Sequence, residues 1–163
     1  MTPEDKARSL LWSAIGNILF FNATPWELDE AMEASGLEIG PCLAMDAEGL
    51  DTVAKAVAGG IAHSILSRMV SEGRLGRKTS WGFYRYTRSG GAIADPLVAD
   101  LINEEVRFAG KTRQDLGEED LIVRMKTACS AVESEMRGLG YPETDTTDAI
   151  VAVLGCANAN WWR

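Results

Sequence analysis

The sequence predicts an all-α chain, and three observations carry that expectation. Helix-start signals recur at Thr2-Pro3, Thr24-Pro25-Trp26-Glu27 and Asp95-Pro96. Each is a capping side chain followed by a proline, whose missing N–H costs nothing at the first helical position. Behind them apolar residues return at helical spacing, as in Leu10, Leu11, Ala14, Ile15, Ile18, Leu19 and Phe21. One stretch, residues 73–94, breaks the pattern: it is glycine-rich and carries the basic group Arg74, Arg77, Lys78, Arg85 and Arg88.

Taken in order, the first helix is expected over roughly residues 3–22, with Glu4 and Asp5 at its positive end. A second runs from Thr24, where Glu27 completes a capping box, to about Ser35, with Gly36 as its stop. Gly40-Pro41 opens a short third helix that ends near Gly49, and Asp51 is expected to cap another. A further helix spans Gly60 to Glu72 on Ile61, Ile65, Leu66, Met69 and Val70. Within 73–94 the group Trp81-Gly82-Phe83-Tyr84-Arg85-Tyr86 is the one extended segment. Asp95-Pro96 restarts helix, Glu118 to Arg137 reads as a second long helix, and Asp145 is expected to cap a last one, to about Leu154. The aromatics Trp12, Phe20, Phe21, Trp26, Trp81, Phe83, Tyr84 and Tyr86 are expected in the core. Trp161 and Trp162 either dock on the body or stand exposed.

Bulk properties narrow the function classes. At 163 residues the chain suits one domain or two fused subdomains. A net charge of −8 argues against a general nucleic-acid or anionic-membrane surface. The acidic start, Met1-Thr2-Pro3-Glu4-Asp5, is unlike a signal peptide, and the longest apolar run, Ile18 to Phe21, is too short to span a bilayer. Cys42, Cys129 and Cys156 are few and far apart, which indicates neither a zinc site nor a disulfide framework and fits a reducing, cytoplasmic compartment.

No complete active site is legible. Gly73-Arg74-Leu75-Gly76 follows a helix and lacks the spacing of a dinucleotide fingerprint, and there is no Walker motif. His63 has no acidic partner in sequence and reads as a structural or surface residue. With one histidine and no GxSxG elbow, hydrolase chemistry is not expected. Glu27, Asp29, Glu30, Glu118, Glu119 and Asp120 are explained by helix starts, Glu33 by a solvent face, and no carboxylate pair stands out. Cys42 reads as a small buried side chain. There is also an internal echo: a long helix, a turn and a capped helix come near both ends, with Arg8-Ser9-Leu10-Leu11 matched by Arg124-Met125-Lys126 and Asp29-Glu30-Ala31-Met32 by Thr147-Asp148-Ala149-Ile150.

The loop Gly73 to Tyr86 closely resembles the "GRxGRKTGxGFYxY" signature of the 3-hydroxyacyl-CoA dehydrogenase C-terminal domain, departing at Ser80, where that family has glycine. Gly40-Pro41 with Asp46, Gly49, Leu50 and Asp51 is similar to "GPFELxDxxGLD"; Arg8 to Leu11 and Ala31-Met32 are similar to "NRLL" and "DxAM". Glu118 to Met125 resembles the start of a second copy, as in the alpha subunits of fatty-acid oxidation complexes. The resemblance implies two related multi-helix units joined by the Gly-rich basic loop, residues 1–95 with the loop at 73–86 and residues 96–163 as a degenerate repeat. It implies the helical, substrate-cleft and dimerisation half of an enzyme that oxidises 3-hydroxyacyl-CoA with NAD in fatty-acid β-oxidation. That half has no catalytic residue and binds no cofactor or metal itself. The implied partners are a Rossmann NAD-binding domain in cis or in trans, an acyl-CoA substrate and a second copy in a homodimer, with no nucleic acid and no membrane. The substrate-facing positions it implies are Arg8, Gly40, Pro41 and Cys42, with Lys78 more a fold-fixing residue than a CoA contact. Ala7 replaces the family's cleft asparagine, the second copy's "NE" falls on Ala131 and Val132, and its "GFPPxRGG" ending is replaced by Cys156 to Arg163. These departures motivate the alternative of a non-catalytic acyl-CoA-binding or assembly module.

Overall fold

The computed structural model describes residues 1–57 and 59–163, and it is mostly helical, as the periodicity predicts. The helices are α1 (Pro3–Phe21), α2 (Pro25–Ala34), α3 (Pro41–Glu48), α4 (Leu50–Ala56), α5 (Gly60–Ser71), α6 (Pro96–Phe108), α7 (Glu118–Gly138) and α8 (Glu143–Leu154). Short 3₁₀ turns lie at Arg77–Thr79 and Ala159–Trp161. Strands β1 (Tyr84–Tyr86) and β2 (Ala92–Ala94) pair antiparallel, with Tyr84 opposite Ala94 and Tyr86 opposite Ala92.

The start signals work as read. Thr2 and Thr24 each form a reciprocal capping box, with Asp5 and Glu27, and the Asp95 carboxylate accepts from the Leu97 N–H. Two expected caps are corrected. α8 begins at Glu143 behind Pro142, so Asp145 lies in its first turn, where the helix dipole favours a carboxylate without a capping bond. α4 begins at Leu50, whose N–H bonds to Leu75 O (2.8 Å), which puts Asp51 inside the helix.

α1 is the central element. Its buried residues Ala7, Leu11, Trp12, Ile15, Ile18, Leu19 and Phe20 pack against α4, α5, α6, α7 and α8. The hairpins α1/α2 and α7/α8 interlock: α1 packs on α8 while α2 packs on α7. The tail docks, since Trp162 is buried with its Nε1–H on Glu133 (2.8 Å), and Trp161 Nε1–H reaches Ser35 O (3.1 Å). Among the aromatics expected inside, Trp81 is the exception at 46% exposed, because β1 turns Tyr84 and Tyr86 inward and leaves the ring of Trp81 over the Arg74 guanidinium (5.0 Å). Among the described residues no helix is long and apolar enough to cross a membrane.

Candidate functional site

The Gly73–Tyr86 loop is anchored on two buried carboxylates, Asp46 and Asp29. Asp46, in α3, accepts from the Phe83 N–H (2.9 Å), the Tyr84 N–H (3.1 Å) and the Tyr86 hydroxyl (2.6 Å). Asp29, in α2, accepts from the N–H groups of Cys42 (2.8 Å) and Leu43 (3.0 Å) at the start of α3 and from the Tyr84 hydroxyl (2.8 Å). Both are buried, at 1% and 2% exposure. The expectation that Asp29 is a helix-start carboxylate is thereby corrected: it is a buried acceptor that ties α2, α3 and β1 together. The two aspartates are also the carboxylate pair that spacing failed to show. A signal existed, since Asp29 stands three residues before Met32 and Asp46 four after Cys42, so both fall on the apolar side of their helices.

Glycines let the backbone approach these carboxylates. A Cβ on Gly40 would overlap the Asp29 side chain; one on Gly82 would overlap Asp46 Oδ1, and one on Gly76, which also holds φ +107°, the Asp46 carbonyl. Burial pushes the Asp29 carboxyl up to about 6, against the pull of the Cys42 N–H, the Tyr84 hydroxyl and the Leu43 N–H. Burial raises Asp46 in the same sense, and it raises the Tyr84 and Tyr86 hydroxyls as well, with the facing carboxylates adding to the effect. With each carboxylate taking three donors and sealed from solvent, the network can lock a loop but cannot reach a substrate proton.

The other candidate residues fall into two places. Gly40, Pro41 and Cys42 are all buried at the α3 N-terminus, and burial raises the Cys42 thiol far above its ordinary range, with Asp29 and Asp46 adding to this. Arg8 and Lys78 each find a carboxylate near the other end of α3. Arg8 pairs with Glu4 (2.9 Å), Asp5 (3.5 Å) and Glu48 (3.5 Å), and Lys78 Nζ bonds Asp51 (2.6 Å) beside Gly49. The eight-residue α3 separates the two groups by about 12 Å. A residue that sequence reasoning passed over as mere basic charge is Arg74: it is buried, and its guanidinium donates to Gly82 O (3.1 Å) and to Asp95 (2.6 Å), joining the loop to the α6 cap. Burial works against ionising Asp95, but the Arg74 and Leu97 donors hold its carboxyl below the ordinary range.

A groove of about 370 Å³ runs between α1 and α7. Leu10, Ala14 and Ile18 face Ala128, Ala131 and Val132 across it, with Arg124 and Glu135 on its α7 side. The positions where the resemblance puts the second copy's "NE" therefore line an apolar wall instead of a polar one.

Comparison with known proteins bears on this arrangement. Residues 10–86, from within α1 to the end of β1, match the family described as 3-hydroxyacyl-CoA dehydrogenase, C-terminal domain. That interval holds both buried aspartates, their tyrosines and the three close-approach glycines. In structure the chain is similar to the dehydrogenase part of multifunctional enzyme 1 from C. elegans, with a TM-score of 0.65 and 20% identity over 88% of this chain. The chain spans 34% of the length of that structure. No curated protein matches the chain in sequence.

Proposed function

We propose that this chain is the helical C-terminal domain of a 3-hydroxyacyl-CoA dehydrogenase-type protein, shaping the acyl-CoA cleft and the subunit contact but not catalytic alone. The observation that supports this most is the loop lock: the matched interval contains the whole Asp29–Asp46–Tyr84–Tyr86 network. The interlock of α1/α2 with α7/α8 supports two tandem units, residues 1–95 and 96–163, because each hairpin packs its long helix on the other's short one. In this reading NAD is held elsewhere, and the small sheet of the described residues supports that. Their sheet is two antiparallel strands, with no strand–helix crossover to present a helix N-terminus to a pyrophosphate. In this reading the nicotinamide cofactor, and its role of accepting hydride in β-oxidation, belong to a separate NAD-binding domain in cis or in trans. Of the substrate-facing positions, Arg8 and Lys78 keep solvent access, with side chains 26% and 48% exposed, and so are the ones available to an acyl-CoA. Gly40, Pro41 and Cys42 act by placing α3. A homodimer and a reducing, cytoplasmic setting belong to the same reading, the latter supported by three free, buried cysteines.

With acetoacetyl-CoA and NADH, the chain alone is expected to give no loss of NADH absorbance; sustained turnover would overturn the proposal. The assembly-module alternative is favoured by one observation: Ala7, where the resemblance places a cleft asparagine, is 0% exposed. Calorimetric titration with acetoacetyl-CoA separates the two, since micromolar binding by the chain excludes a purely structural role.

A further inference from the structure

A second groove, of about 390 Å³, lies between α4 and α5 and is lined by Asp51, Ala54, Lys55, His63, Ser67 and Val70, among others. It shares no residue with the buried aspartate network. His63 and Ser67 stand four residues apart on α5, on one helix face. The Ser67 hydroxyl lies 3.1 Å from His63 Nε2, and His63 Nδ1 lies 3.2 Å from the carbonyl of Val57 at the end of α4. A carbonyl only accepts, so Nδ1 carries the proton of the neutral ring. Nε2 is then left with its lone pair toward Ser67 and accepts the hydroxyl proton. This is the tautomer that a serine nucleophile requires, with a backbone carbonyl as the group that orients the base. Lys55 lines the same groove, and its ammonium makes no hydrogen bond or ion pair among the described residues, which leaves it available to a developing oxyanion. Ala54 and Val70 give the groove an apolar side suited to a short acyl chain.

The geometry points to a Ser67–His63 nucleophile–base pair that takes an acyl group from small activated esters or thioesters, an activity distinct from the dehydrogenase reading and independent of it. Ser67 Oγ bonds to the acyl carbon as its proton passes to His63 Nε2. The bond from that carbon to the leaving oxygen or sulfur breaks, and His63 returns the proton to the departing alcohol or thiol. Water then attacks the acyl carbon and gives a proton to His63 Nε2; the bond from that carbon to Ser67 Oγ breaks, His63 returns the proton to Oγ, and a carboxylic acid leaves with Ser67 and the neutral imidazole restored. No electron transfer is involved.

The test uses the full chain with p-nitrophenyl acetate and, separately, a fluorophosphonate probe. Wild-type protein is expected to hydrolyse the ester above buffer background and to become labelled at Ser67, located by peptide mass spectrometry. Ser67→Ala and His63→Gln are each expected to lower the rate by about a hundredfold or to background. Ser67 bonds only to His63 among the described residues, and alanine favours helix, so retained helical circular dichroism in Ser67→Ala excludes unfolding as the cause. Hydrolysis that survives Ser67→Ala but is lost in His63→Gln would mean that the imidazole acts alone and would overturn the pair. Absence of hydrolysis and of labelling would overturn it as well.

Discussion

Ser80 is the single described residue other than glycine with positive φ (64°), and it stands where the resembled signature has glycine. Its hydroxyl makes no hydrogen bond among the described residues, while its backbone is fixed by Ser80 N–H to Arg77 O and Tyr86 N–H to Ser80 O. A left-handed conformation costs a side-chain-bearing residue about 1–2 kcal/mol, of which glycine's extra chain entropy returns part. Ser80→Gly is therefore expected to stabilise the chain by about 0.5–1 kcal/mol, read as a midpoint shift in urea. Two other loop residues separate by burial. Asp46→Ala leaves the Phe83 and Tyr84 N–H groups and the Tyr86 hydroxyl without their acceptor in a dry site, a loss of about 3 kcal/mol or more. Lys78→Ala removes a solvent-exposed ion pair to Asp51 and is expected to lower stability only slightly. If Lys78 fixes the fold and does not hold CoA, that variant melts lower and titrates acetoacetyl-CoA unchanged.

At the scale of elements, α3 is the wedge of the fold, held at its N-terminus by Asp29 and along its body, through Asp46, by the loop. Asp29 sets a pH dependence with a definite sign. Its carboxyl is raised in the folded chain to about 6, so the native state binds that proton more tightly than the unfolded state. The stability it contributes is full below the ordinary carboxylate range and is lost as pH rises through about 6. The wild-type melting temperature is thus expected to rise between about pH 7 and about pH 5 more steeply than that of Asp29→Asn. Parallel curves would show that Asp29 does not titrate in that window. The helices themselves were legible because their signals are local: Thr2, Thr24 and Asp95 cap within their own first turns. Asp145 misled because a carboxylate favours either a cap or a first turn, and only the chain path from Tyr141-Pro142 decides between them. The aspartate network was hidden for a different reason. Its bonds join residues 13 to 55 positions apart, so helical periodicity could put both aspartates on buried faces but could not pair them with the α3 start and the loop.

At the scale of the whole molecule, the interlocked hairpins are closed by the chain's end. Trp162 fills a site against α7 and bonds Glu133, which Arg163 also engages. Trp162→Ala is expected to cost about 3–5 kcal/mol by cavity formation, measured by chemical denaturation. The sequence showed that the tail ends on two tryptophans but not what they touch, since Trp161 reaches Ser35 across 126 positions. On the proposed reading, this fold supplies the helical part of a dehydrogenase. The most direct test mixes the chain with the separately produced NAD-binding domain of a 3-hydroxyacyl-CoA dehydrogenase and follows NADH absorbance with acetoacetyl-CoA. On that reading, turnover is expected from the mixture and from neither part alone. Turnover by this chain alone, or none from a mixture in which the two parts bind each other, would contradict it.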